Sequence, residues 1–160
     1  MLIQLIFVGK TKPKAAAAAV SEYTSRLERL TRIGTQQIRD EKIGQDADAA
    51  RAREGARVLA ALRPADWVVL CDERGKEVTT PMLKDVLERA RSGQSPYSGR
   101  QRLVFVVGGA LGVAAAVSKR ADSTIRLSGL VMAGGVARVV LVEAIYRALT
   151  LVHGHPYHNE

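Results

Sequence analysis

One cysteine among 160 residues, Cys71, excludes an internal disulfide framework and any zinc site built from several cysteines, and it fits a reducing compartment. Aromatic residues make up 4% of the chain, too few for the stacking platforms with which RRM-type and single-strand-binding domains hold nucleic acid. No stretch approaches the roughly 20 uninterrupted apolar residues of a membrane-spanning helix. The opening apolar run, Leu2 to Val8, lacks a basic leader and a small-residue cleavage site and stops at Gly9-Lys10, so it reads as a strand and not as an export signal. The expectation is a soluble, cytoplasmic protein without membrane association.

What is present is positive charge and apolar material. Lys and Arg number 24 against 16 Asp and Glu, a formal net charge of +8, which is the footprint of a polyanion binder. Most of the cations are arginine, whose planar fork of donors suits phosphate oxygens and base edges. Hydrophobic residues make up 47% of the sequence, enough for the core of one domain, and residues 1–160 are read as a single one.

Strands and helices alternate from end to end, and the strands are continuous apolar runs, the pattern of a mostly parallel sheet buried between helices on both faces. Strands are expected at Leu2 to Val8, Ile33 to Arg39, Trp67 to Cys71, Leu103 to Val107 and Ser123 to Leu127. Helices are expected from Lys14 to Arg32, from an Asp46 or Asp48 cap to Arg63, from Pro81 to Arg91 behind a threonine cap, from Val113 to Ala121, and from Val136 to Leu151. Asp72 to Lys76 reads as a turn, and Ser92 to Gly99 as the most linker-like stretch.

In an open parallel sheet, ligands bind beyond the carboxyl ends of the strands. Three such ends stand out: Cys71-Asp72, Gly108-Gly109, and the loop from Leu127 to Gly135, where glycines let a ligand approach the backbone. A dinucleotide-binding oxidoreductase fits poorly, because Gly108-Gly109-Ala110-Leu111-Gly112 lacks the fingerprint spacing and follows a late strand. On the last helix, Glu143 sits beside an apolar stripe with Arg147 one turn on, either a structural ion pair or a carboxylate that orients an arginine toward substrate. All three histidines, His153, His155 and His158, fall in the tail; their spacing matches no metal-ligand pattern, and no metal is expected. A tail containing Pro156, Tyr157 and His158 either frays or folds back to present an aromatic ring and an imidazole to a base.

The ending His155-Pro156-Tyr157-His158 resembles, residue for residue, the C-terminus of the bacterial large-subunit rRNA pseudouridine N3-methyltransferases, a family of the SPOUT class. Val8-Gly9-Lys10, Leu70-Cys71-Asp72 with Gly75-Lys76, Gly108-Gly109 with Gly112, Leu127-Ser128, and Arg138-Val139 through Val142-Glu143-Ala144 to Tyr146-Arg147-Ala148 agree in order and spacing, so the likeness spans the chain. The resemblance implies an α/β fold with a C-terminal trefoil knot, S-adenosyl-L-methionine as cofactor, and N3 methylation of a pseudouridine in 23S rRNA, on the assembled ribosome, by a homodimer. It places the adenosine against the backbone of Cys71, Gly108, Leu127, Ser128, Gly129, Leu130, Val131 and Met132. It puts Glu143, Arg147, Tyr157 and His158 on the substrate side, with one subunit's tail completing its partner's site.

The last helix, with Val136, Val139, Val140, Leu141, Val142, Ile145, Leu149 and Leu151, carries more apolar surface than one face against a sheet needs, which suits such a dimer. Three departures from the family pattern stand at Ala110-Leu111, where the family has Pro-Glu, at Gly134-Gly135, where it has His-Pro, and at Asn159, where it has a basic residue. They keep open a second reading, a degenerate member that binds RNA or the ribosome without catalysis.

Overall fold

The structure is a computed structural model that describes residues 2–42, 44 and 46–159, with the side chains of His158 and Asn159 outside the description. Strands β1 (Leu2–Val8), β2 (Ile33–Ile38), β3 (Asp66–Glu77), β4 (Arg102–Val107) and β5 (Ser123–Arg126) form one sheet in the order β2-β1-β4-β3-β5, every pairing parallel. All six residues of β4 are buried, as is β1 from Ile3 to Val8. These are the central strands, covered on both faces, which is why their sequences are unbroken apolar runs. β2 is an edge strand and carries Thr35, Gln36 and Gln37 exposed.

The helices sort onto the two faces as the right-handed crossover rule requires. The steps from β1 to β2 and from β3 to β4 run in one direction across the sheet, and their helices, α1 (Lys14–Glu28) and α3 (Thr80–Ser92), share a face. The steps from β2 to β3 and from β4 to β5 run the other way, and α2 (Ala47–Ala61) and α4 (Ala115–Arg120) pack together on the opposite face. The last helix, α5 (Gly134–Val152), lies across α1 and α3. Leu141, Val142, Ile145, Ala148 and Leu149 recur on its inner face at helical spacing and join Phe7, Leu27, Leu87 and Phe105 in the larger core. Val58 and Val117 close the smaller core under α2 and α4.

Local chemistry sets the ends of these elements. Asp46 caps α2 by accepting from the Ala49 N–H at 2.8 Å, Thr79 caps α3, and Gly93 ends α3 in the left-handed region at φ 69°. α1 stops at Glu28, four residues before the sequence suggests, because the chain turns at Leu27, its last core anchor, to enter β2.

The segment Asp72–Lys76 is not a free turn. β3 runs on to Glu77, and Cys71 and Lys76 both pair with Ile125, so the residues between them bulge outward from β5. Gly75 makes the bulge possible: a Cβ there would lie 2.4 Å from the Ile125 carbonyl carbon and 2.7 Å from its nitrogen. Both obstacles are main chain, so Gly75→Ala forces β5 aside and is expected to cost about 1–3 kcal/mol. Urea unfolding should show a lower midpoint at unchanged slope; an unmoved midpoint would show that β5 yields freely.

Candidate active site

Because every strand is parallel, the exits of β1, β3, β4 and β5 share one edge of the sheet. They surround a cleft of about 690 Å³, within the roughly 300–1,000 Å³ of small-molecule sites. Val8, Cys71, Val107 and Leu127 form its floor, and Ser128, Leu130, Val131 and Met132 its loop wall. Of the sequence candidates for cofactor binding, Cys71, Gly108, Leu127, Ser128, Leu130, Val131 and Met132 line the cleft. Gly129 does not, and open space faces the position of its missing Cβ. Ser128 folds its loop by accepting the Leu130 N–H at 2.9 Å, which leaves the Leu130 and Val131 side chains 78% and 85% exposed.

The glycines here serve the fold as well as ligand access. A Cβ on Gly108 would sit 2.7 Å from Cγ2 of the protein's own Val113, Gly112 has φ +76°, and Gly112 N–H donates to the Gly109 carbonyl at 3.1 Å. The loop is thus a tight, preformed turn of backbone. Opposite it, α5 begins at Gly134 with no side-chain cap, so the free N–H groups and positive dipole end of a 19-residue helix face the cleft.

Charges of both signs stand around the rim. Asp72 takes Nε and Nη2 of Arg74 at 2.9 Å each, and this pair, with the Arg74 N–H and against the opposing effect of burial, holds its carboxyl below the usual range. Lys10, Lys12, Asp40 and Glu73 complete the set. At the floor, burial pushes the Cys71 thiol up to about 12, so Cys71 contributes its backbone and not a nucleophile.

Glu143, Arg147 and Tyr157 meet elsewhere. Arg147 donates Nε and Nη2 to Glu143 Oε1 at 2.9 and 2.8 Å, the i to i+4 pair that the spacing suggests. The tail folds back as a 3-10 turn (Pro156–Asn159), and Tyr157 Oη donates to Glu143 Oε1 at 3.3 Å and lies 3.1 Å from Tyr23 Oη. Its ring meets Tyr146 edge-on at 4.7 Å, with the Arg147 guanidinium 4.9 Å from its centroid. Burial, the Tyr23 contact and the Glu143 charge raise the Tyr157 phenol, which stays protonated at neutral pH. His158 belongs to this turn, but its side chain lies outside the described residues.

Along α5 at about 1.5 Å per residue, Glu143 stands about 14 Å and Arg147 about 20 Å from Gly134 at the cleft. The two groups of candidates therefore occupy separate places in one chain. Arg138 was missed as a site residue: it is 3% exposed, lines the cleft, and has no carboxylate within ion-pair distance among the described residues. Its signal in the sequence is a lone arginine inside the apolar run from Val136 to Val142.

The family model described as predicted SPOUT methyltransferase matches residues 1–158. Proteins named ribosomal RNA large subunit methyltransferase H from Laribacter hongkongensis, Geotalea daltonii and Parabacteroides distasonis are 38%, 37% and 37% identical to this chain. The alignments cover 100%, 99% and 100% of the chain and 100% of each relative. A crystal structure described as that of a hypothetical protein superposes with a TM-score of 0.53 over 94% of this chain and 68% of that one, at 12% identity, a likeness of fold. With relatives aligned end to end and the parallel α/β sheet in place, the chain belongs to the SPOUT methyltransferase family and is a methyltransferase.

Proposed function

We propose that this chain methylates N3 of a pseudouridine in 23S rRNA on the assembled ribosome, with S-adenosyl-L-methionine as donor, acting in the cytoplasm as a homodimer of single-domain subunits with knotted C-termini. The observation that carries the reading is the backbone-walled cleft at the carboxyl edge of the sheet. The names of the relatives point to the same class of substrate.

The residues present fit the cofactor. Backbone of Cys71, Gly108 and the loop from Leu127 to Met132 would hold the adenosine, and the uncapped start of α5 suits a carboxylate. Asp72, Asp40 and Glu73 suit the ammonium and sulfonium charges of the same molecule. Bound there, it supplies a methyl group on an already electrophilic sulfonium, so the protein's part is proximity and orientation. The imide nitrogen of the substrate must shed its proton. Arg147, a cation held by Glu143, stabilises the deprotonated imide, and Tyr157 donates a hydrogen bond. His158, next to Tyr157 in the tail, is the remaining substrate-side residue.

The dimer brings these groups to the cleft, since one chain holds them about 14–20 Å away along α5. The apolar surplus of α5 is smaller than its sequence suggests, because Leu141, Val142, Ile145 and Leu149 are buried in the chain's own core. Val136 is exposed, and Val139, Val140 and Leu151 are half-buried. With Leu130 and Val131, they supply the apolar surface available to a second copy.

Purified protein, ribosomes and labelled cofactor should place one methyl group on one pseudouridine-bearing fragment of 23S rRNA, located by mass mapping. Cofactor binding without transfer would favour the non-catalytic reading, and no binding by calorimetry at millimolar cofactor would remove both. Gly108→Val adds a side chain where Val113 already sits and should abolish binding.

A further inference from the structure

Among the described residues, half of the cations are held in ion pairs, but Lys10, Lys12 and Lys14 are not. All three are exposed and lie at alternate positions of one segment that runs from the exit of β1 into α1. Lys10 and Lys12 stand on the rim of the cleft, and Asp40, the carboxylate beside Gly9, is beyond ion-pair distance of either. Three unpaired ammonium groups repel one another, so their clustering costs stability unless an anion comes to them.

The segment is nevertheless pinned. The Arg138 guanidinium donates Nη1 to the Gly9 carbonyl at 3.0 Å and to Thr11 Oγ1 at 2.9 Å, and Nη2 to the Val8 carbonyl, with its face 5.1 Å from the Phe7 ring. One turn earlier on α5, a Cβ at Gly135 would lie 2.0 Å from the Lys12 carbonyl oxygen, so helix and segment touch main chain to main chain. A buried arginine whose hydrogen bonds all go to neutral oxygens, with the Asp40 charge acting only from beyond ion-pair distance, is a costly strut. What it fixes is the position of the lysines at the mouth of the cleft.

We propose that Lys10, Lys12 and Lys14 are the seat for the RNA backbone at the cleft, each meeting a phosphate, and that Arg138 is the positioning residue that holds the seat. This rests on the reading of the substrate as RNA. The test is fluorescence anisotropy with labelled oligouridylate across a salt series. Releasing three phosphate contacts should flatten the dependence of log affinity on log salt by about 2, given about 0.7 per contact on single strands. The variant is Lys10→Gln with Lys12→Gln and Lys14→Gln; the control is Arg29→Gln with Arg32→Gln and Arg91→Gln, three exposed unpaired cations at the opposite edge of the sheet.

The lysine triple should lose at least tenfold in affinity at low salt while the control keeps the wild-type slope and its cofactor affinity. Equal slopes for the two triples would overturn the proposal, showing diffuse attraction. Loss of the dimer in the lysine triple would overturn it in favour of a contact between copies. If the wild type itself neither binds RNA nor methylates ribosomes, the substrate reading falls instead. For Arg138, a double-mutant cycle distinguishes positioning from general support: Arg138→Lys should weaken RNA binding in the wild type and add nothing in the lysine triple. Thr11→Val, which removes one acceptor, should behave alike with a smaller effect and serves if Arg138→Lys does not fold. Additive losses in both cycles would overturn the positioning role.

Discussion

Co-expressing two inactive variants, Gly108→Val and a chain lacking Tyr157 to Glu160, should restore methylation to about a quarter of the wild-type level. The expectation follows from the separation of the cleft and the tail cluster along α5. If a site consists of one copy's cleft and its partner's tail, a mixed dimer has one intact site and one site with both defects. Random pairing makes about half of the dimers mixed, and each carries half of its sites intact. If each copy completes its own site, every site in the mixture carries one defect or the other, and the mixture stays silent. Two differently tagged chains purified in tandem isolate the mixed dimer and should raise the figure to about half. The tail-deleted chain should still bind cofactor, because among the described residues the cleft is built from positions up to Arg138 and Tyr157 is not among its walls.

Arg102→Met should be strongly destabilising, by about 3–5 kcal/mol, because it leaves a buried carboxylate without its partner. The Arg102 and Asp66 side chains are 7% and 0% exposed, and they join through Nε to Oδ1 at 2.8 Å and Nη2 to Oδ2 at 2.6 Å. Asp66 also accepts the Arg63 N–H at 2.7 Å, and Arg102 reaches the Ala61 carbonyl, so the pair ties the end of α2 to β3 and β4. Burial raises the Asp66 carboxyl, but the Arg102 and Arg63 hydrogen bonds outweigh it and leave it below the usual carboxylate range. A depressed folded value contributes stability that is whole above about pH 4 and is lost as pH falls through that lower value. In Arg102→Met burial, the largest of these influences, is opposed only by the Arg63 hydrogen bond and charge, so the folded value rises and acid should relieve part of the penalty. Wild type should thus lose stability more steeply than the variant as pH falls between about 5 and 3. Parallel slopes would mean that Asp66 is not the titrating group.

The parts of this fold legible in the sequence are those whose causes are local. The apolar runs of β1 and β4, the Asp46 and Thr79 caps, and the Glu143 to Arg147 spacing each state their structure within a few residues. The strand exits at Cys71, Gly108 and Leu127 were legible because parallel strands put all carboxyl ends on one edge. What escaped depends on partners far along the chain. The bulge at Asp72 to Gly75 is shaped by Ile125 on another strand, and Tyr157 rests against Tyr23, 134 positions away. Gly108 reads as an opening for a ligand, yet Val113 already fills part of the space beside it. Arg138 looks misplaced in an apolar helix until β1 supplies carbonyls for its donors.

The protonated thiol of Cys71 has a consequence for the living cell. At about 12, its thiolate is on the order of one molecule in 10⁵ at neutral pH. The thiolate is the form that attacks peroxides, disulfides and soft electrophiles, so this site is chemically quiet toward all of them. Oxidation at the cleft would therefore fall on the thioether of Met132 in its loop wall and not on Cys71 in its floor.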